Sequence, residues 1–139
     1  MEMTHLLDTS ALLVFLLGEP GAEHVQALFD DERKSIAASV LTKSELWARL
    51  KSLGGESRFG MIWAESRKMF EAILPVTEDV AEASNTLRER CANRIPMADA
   101  LIAATAIVHG LTLVHRDAYM QGIPARLLRQ IDLSRTRAR

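Results

Sequence analysis

Short apolar runs alternate with helical periodicity along this chain, and the alternation lays out its elements. His5-Leu6-Leu7-Asp8 reads as a buried strand. After the hydroxyl pair Thr9-Ser10, Ala11 to Leu17 reads as a helix that stops near Gly18. A second helix is expected from Gly21 to about Asp31, and a strand from Ser35 to Ala38. Leu46, Leu50 and Leu53 then fall at helical spacing, and Gly54-Gly55 ends that element. Arg58 to Ile73 has the pattern of an amphipathic helix. Pro75 breaks it, and Pro75-Val76-Thr77 is expected to form a short strand leading into a helix over Ala81 to Cys91. Pro96 opens a strongly apolar helix to about His109, Gly110 closes it, and Thr112-Leu113-Val114 is a further buried strand. Leu127 to Leu133 carries no clear period. Strands and helices joined by short links predict an α/β domain with a mostly parallel central sheet.

Composition narrows this picture. The 139 residues amount to one domain with a single core, and a net charge of −1 argues against bulk electrostatic attachment to nucleic acid. An anionic partner would have to meet a local patch. One cysteine, Cys91, excludes an internal disulfide and any multi-cysteine metal site; it is expected to be a small packing residue in a reducing compartment. The first apolar run is interrupted by Asp8 and ends at Gly18-Glu19-Pro20, too short to span a bilayer and unlike a signal peptide. A soluble, cytoplasmic protein with no membrane partner is expected.

The parallel sheet gives Asp8 its interest. Ligand crevices in such sheets lie beyond the carboxyl ends of the strands, and Asp8 reads as the last residue of its strand. Asp117, in "TLVHRD", follows the Thr112–Val114 run and should emerge on the same edge. Asp99, in "RIPMADALIAATAIV", is the only charge between Ile95 and Val108, and Glu45, in "VLTKSELWARL", flanks the leucine stripe. Each acid alone has an ordinary explanation: a helix cap for Asp8 with Thr9 and Ser10, the helix dipole for Asp99, a surface position for Glu45. Converging in one partly dry pocket, they would repel until protonated or neutralised by a cation. Oxygen-only donors suit Mg²⁺ or Mn²⁺, and the chemistry that uses such a site is phosphoryl transfer.

The segments "LLDTSALL", "LTKSELWARL", "IPMADALIAATA" and "TLVHRDAYMQGIP" resemble, in order and spacing, the motifs of PIN-domain ribonucleases, particularly VapC-type toxins of toxin–antitoxin modules. The resemblance covers nearly the whole chain. It implies a PIN-like three-layer α/β/α domain over residues 1–133 with a basic tail at 134–139. It also implies a catalytic acidic site of Asp8, Glu45, Asp99 and Asp117, with Asp8, Asp99 and Asp117 as metal ligands and Thr9 or Ser10 as polar support; His115, beside Asp117, is added to that support from its own chemistry. Mg²⁺ or Mn²⁺ dependence, RNA cleavage, a homodimer and inhibition by a VapB-like antitoxin follow from the same resemblance. The chain departs from the pattern in carrying His115 where many relatives have Thr or Ser, and Met120 where many have Phe.

Other classes fare less well. A haloacid-dehalogenase-type site needs a second Asp where Ser10 stands, and a receiver needs a strand-end lysine that is missing. A non-catalytic RNA-binding or protein-interaction module of α/β fold is the alternative. Candidate phosphate contacts are Arg88, Arg90 and Arg94 near one helix end, Arg116, Arg126 and Arg129, and Arg135, Arg137 and Arg139 in "SRTRAR", although solvated surfaces collect arginines anyway. His5, His24 and His109 show no metal-ligand spacing. Trp47, Trp63, Phe59 and Phe70 are expected as core or dimer contacts in preference to base-stacking platforms. The middle helices offer enough large apolar side chains to form a dimer surface or a groove for an antitoxin helix.

Overall fold

A computed structural model describes residues 2–135. The chain runs β1 (His5–Leu7), α1 (Thr9–Leu17), α2 (Ala22–Asp30), β2 (Ile36–Ser39), α3 (Leu41–Ser52), α4 (Phe59–Met69), β3 (Ala72–Leu74), α5 (Glu78–Arg90), α6 (Met97–His109), β4 (Thr112–His115), α7 (Ala118–Gln121) and β5 (Gln130–Asp132). The five strands make one sheet in the order β3-β2-β1-β4-β5, with every pairing parallel. Leu6 stands opposite Ala37 and Leu113, and Leu7 opposite Ala38 and Val114. Successive side chains of a strand point to opposite faces, so this register sorts the sheet into two cores. Leu6, Ala37 and Leu113 pack with Leu87 of α5 and with Ala100, Ala103 and Ala106 of α6. Leu7, Ala38 and Val114 pack with Leu12, Val25, Leu46 and Trp63 from α1 to α4. Helices on both faces make the three layers that the alternating pattern and the resemblance predicted.

Several boundaries follow local chemistry. Gly18 and Gly110 end α1 and α6 at φ +63° and +67°, the left-handed conformation that glycine adopts without a Cβ clash. The strand expected at Pro75-Val76-Thr77 is not there; β3 lies at Ala72–Leu74, and the expected helix to Ile73 ends at Met69. Pro75 has no N–H for a ladder, whereas Ala72, Ile73 and Leu74 align with Ala37, Ala38 and Ser39. Apolar residues at Met69, Phe70 and Ile73 had extended the helical period past its end. Thr77 instead caps α5, its hydroxyl accepting the Val80 N–H at 3.2 Å. The segment without a period supplies β5 and a closing 3₁₀ turn through Arg135, where Ser134 donates to Asp132 Oδ1 at 2.6 Å. Of the basic tail, Thr136 to Arg139, including Arg137 and Arg139, lie outside the described residues. No helix among the described residues is long and apolar enough to cross a membrane.

The two tryptophans have different fates. Trp63 is 7% exposed and belongs to the α1–α4 core, so it is no dimer contact, whereas Trp47 is 44% exposed with the Lys51 ammonium 4.9 Å from its ring centroid. Trp63→Ala should therefore lower unfolding free energy by ~3–5 kcal/mol, the scale of a buried aromatic truncation. Trp47→Ala should cost under ~1 kcal/mol, as surface changes do. Urea unfolding followed by circular dichroism measures both, and equal losses would contradict this packing.

Candidate active site

Asp8 lies one position beyond β1, where it is the N-cap of α1. Its N–H still extends the β1–β4 ladder, donating to the Val114 carbonyl at 3.0 Å. Its Oδ1 accepts from the Ala11 N–H at 2.8 Å and from the Ser10 hydroxyl at 2.7 Å. The capping explanation is thus correct as local structure, but it does not make the site hospitable to charge. Burial raises the Asp8 carboxyl to about 7 against the lowering effect of those two bonds, and the charges of Asp117 and Asp99 add to the rise. Ser10 has a second duty: its oxygen accepts the Arg116 N–H at 2.8 Å, tying the end of β1 to the exit of β4.

Thr9 turns the other way, toward α3. Its hydroxyl donates to Glu45 Oε1 at 2.5 Å and lies 3.1 Å from the hydroxyl of the buried Thr42. One hydroxyl has one hydrogen, and the short contact to a carboxylate takes it. Thr42 and Glu45, three residues apart, share one helix face, so both reach Thr9 from the start of α3.

Asp99 occupies the first turn of α6, half-buried. Burial raises its carboxyl to about 7, followed by the charges of Asp117 and Glu45 and by a hydrogen bond with Asp117. Two carboxyls in such contact need a proton between them. The place of Asp99 in the first turn suits the helix dipole, as the sequence suggested, but burial and the neighbouring acids outweigh that benefit. Asp117 is the N-cap of α7, its Oδ1 accepting the Tyr119 N–H at 2.9 Å, while its own N–H donates to His115 Nδ1 at 3.1 Å. His115 is fully buried, with Nε2 2.6 Å from Gln130 Oε1.

No cation among the described residues is paired with the acids of this edge: none of the ion pairs involves Asp8, Glu45, Asp99 or Asp117. The nearest arginine in sequence, Arg116, is held instead by Glu19 at 2.9 Å. As the side chains stand, no three Asp, Glu, His or Cys groups among the described residues are arranged around one ion position. The chemistry of the donors fits a hard divalent ion, since carboxyls forced toward neutrality without a neighbouring cation are what such an ion would relieve.

The remaining candidates are dispersed. Arg88 and Arg94 are exposed near the end of α5 and in the loop before α6, and no contact joins them to the acids. Arg129, one of the candidate phosphate contacts, is placed at the amino edge of the sheet, away from the acids: it donates to the Gly110 carbonyl at 2.7 Å and, with Arg126, lines a cleft beside Leu111. His5 lies on that same far edge, held below the ordinary imidazole value by burial and then by Lys34, His24 and Arg129. Met120 is wholly buried in the core beside α6. Sequence reasoning missed Thr42, which its spacing from Glu45 could have revealed, and Gln130, which carried no signal.

Residues 5–125 match the PIN domain family profile, a span that contains all four acids. Ribonuclease VapC19 of Mycobacterium tuberculosis is 38% identical over 108 residues, covering 74% of this chain and 80% of that protein. A toxin-antitoxin complex from Klebsiella pneumoniae contains a chain of 29% identity and TM-score 0.68, with 94% of this chain and 98% of that chain covered. VapBC2 from Rickettsia felis, solved bound to a promoter DNA fragment, shares the fold at TM-score 0.73 and 19% identity, covering 94% of this chain and 98% of that one. With the profile spanning most of the sheet and its acidic edge, the chain belongs to the PIN-domain family.

Proposed function

We propose that this protein is a VapC-type endoribonuclease, the toxin of a toxin–antitoxin module, and that it hydrolyses RNA phosphodiesters at the carboxyl edge of its sheet with the help of Mg²⁺ or Mn²⁺. The observation that carries the reading is the pair of carboxyls, Asp8 and Asp99, raised to about 7 beside Asp117, with no ion pair to either among the described residues. Asp8, Asp99 and Asp117 would hold the ion. When bound, it would polarise the phosphodiester and favour ionisation of an attacking water. The chain's own groups do the rest. Ser10 orients Asp8 through Oδ1, and Thr9 orients Glu45 through Oε1, leaving Oε2 of Glu45 to accept a proton from water. Arg116, half-exposed at the rim, can exchange Glu19 for an RNA phosphate, with Arg88 and Arg94 as outer contacts. A site of this kind, at an open sheet edge, favours a splayed single strand over a duplex.

The relatives solved as VapBC and toxin-antitoxin complexes support a VapB-like antitoxin as partner. A groove of about 440 Å³ lined by Phe15, Leu16, Met61, Ile62 and Met69 offers an apolar helix of that partner a seat between α1 and α4. A homodimer is part of the same reading, with the exposed Trp47 and Leu53 of the α3 region as candidate contacts.

Asp8→Asn and Asp99→Asn should each lower RNA cleavage by roughly 10²–10³-fold, the scale of losing one charge-stabilising contact. Circular dichroism should stay unchanged, since Asn keeps the volume and, at position 8, the cap. Cleavage should stop in EDTA and return with Mg²⁺ or Mn²⁺ but not Ca²⁺, whose size and looser geometry suit this chemistry poorly. Wild-type rates in both variants, or full activity in chelator, would refute the site.

The raised carboxyls also make stability depend on pH. Both folded-state values lie above the ordinary carboxylate value, so the protonated forms stabilise the fold. That contribution is fully present below the unfolded value and is lost as pH rises through about 7. In EDTA, Asp99→Asn should therefore melt above the wild type near pH 8, with a difference that shrinks toward about pH 5. Thermal melts at the two pH values test this, and a difference that grows on acidification would overturn it.

A further inference from the structure

The geometry points to His115 as the residue that positions Asp117, acting as a neutral imidazole whose tautomer is set by Gln130. The inference rests on the reading of Asp117 as a metal ligand and adds a positioning pair to it. His115 ends β4 with no exposed surface, and a ring buried there needs partners for both nitrogens. Nδ1 lies 3.1 Å from the Asp117 N–H. An amide N–H only donates, so Nδ1 presents its lone pair and the ring carries its proton on Nε2. That N–H points at Gln130 Oε1, 2.6 Å away.

The orientation of the Gln130 amide is itself fixed. Its Nε2 donates to the Ile123 carbonyl at 2.9 Å, which turns Oε1 toward the histidine. Donor meets acceptor at each step from Ile123 through Gln130 and His115 to Asp117. The opposite tautomer would set N–H against N–H at one end and lone pair against lone pair at the other. The hydrogen-bond network assigns the tautomer, and three separate segments enforce it.

The beneficiary is the short turn between β4 and α7 that carries Asp117. Between β4 and α7, the Arg116 N–H is tied to Ser10, the Asp117 N–H to His115, and Asp117 Oδ1 to the Tyr119 N–H. The Asp117 carbonyl and carboxylate also hold the Met120 and Tyr119 N–H groups of α7, so the Nδ1 bond is the one that ties the Asp117 backbone back to β4, and removing the acceptor frees the residue whose carboxyl meets Asp99 on that side. Groups that orient a metal ligand from behind affect metal affinity by about 10–100-fold. Gln130 reaches His115 from β5, the edge strand, so the outermost strand of the sheet also serves the site.

The test compares His115→Leu, His115→Asn and Gln130→Leu with the wild type. Asn keeps an oxygen near the place of Nδ1, whereas Leu keeps none. Mn²⁺ affinity is measured by calorimetry, kcat and KM are separated on a single-stranded RNA oligonucleotide, and long-range ¹H–¹⁵N spectra report the ring tautomer. The wild-type ring should carry its proton on Nε2. His115→Leu should bind Mn²⁺ about 10–100-fold more weakly and lose kcat with little change in KM, and His115→Asn should recover most of both. Gln130→Leu should weaken Mn²⁺ binding and spread the ring proton over both nitrogens. A proton on Nδ1 in the wild type, a folded His115→Leu with wild-type Mn²⁺ affinity, or an Asn variant no better than Leu would each overturn the inference. If His115→Leu fails to fold, Gln130→Leu decides in its place, and wild-type affinity there overturns it. A wild type that binds no Mn²⁺ while its ring is protonated at Nε2 refutes the metal reading and leaves the tie between His115 and Asp117 standing.

Discussion

Parallel pairing of β1 with β4 puts Leu7 opposite Val114, and the next amide in the chain, that of Asp8, still reaches the Val114 carbonyl at 3.0 Å. The bond carries the ladder one residue past the strand and delivers the Asp8 side chain to the place where β4 is about to turn. Ser10 then clasps the turn by accepting the Arg116 N–H while donating to Asp8. Two backbone segments more than a hundred positions apart are thereby joined through one carboxylate and one hydroxyl. Shifting the pairing by one residue would send Leu6 and Leu7 to each other's cores and carry Asp8 away from Asp117, since strand faces alternate at every position.

Asp8 illustrates how local and global demands diverge at such a place. As a cap it is well served, with an N–H and a hydroxyl on one oxygen. As a charge it is badly served, because burial outweighs both bonds. Asp99 suffers similarly on the first turn of α6, where an acid would otherwise be welcome. Proteins tolerate such conflicts chiefly where function requires them, and the neighbouring elements show no comparable tension: Thr77 caps α5, and Gly18 and Gly110 close their helices without strain.

Much of this was legible from residue order. Gly18, Pro96 and Gly110 mark their boundaries through backbone chemistry that needs no tertiary context, and alternating strands and helices fix the architecture because parallel strands require crossovers. Asp8 and Asp117 could be assigned to one edge from that topology alone. What failed did so for physical reasons. Met69, Phe70 and Ile73 prolong a helical period although Ile73 already faces the core from a strand, so periodicity alone could not see the end of α4. Trp47 and Trp63 sit on helices of similar composition, and only packing reveals that one faces solvent and the other the sheet. Gln130 meets His115 across a strand pair formed by a segment without pattern, which no spacing rule anticipates.

The strand order also governs the timing of assembly during synthesis. β1 is made first and lies at the centre of the sheet, but its neighbour β4 begins at Thr112 and the last strand at Gln130. β1 can pair early with β2, at Ile36–Ser39, but its other edge, where Asp8 meets Val114, stays open until β4 is made. Contacts between such distant segments form late because the intervening loop must first be closed. A nascent chain lacking its final quarter has neither the ladder bond to Val114 nor the ring of His115, and so has no assembled acidic edge.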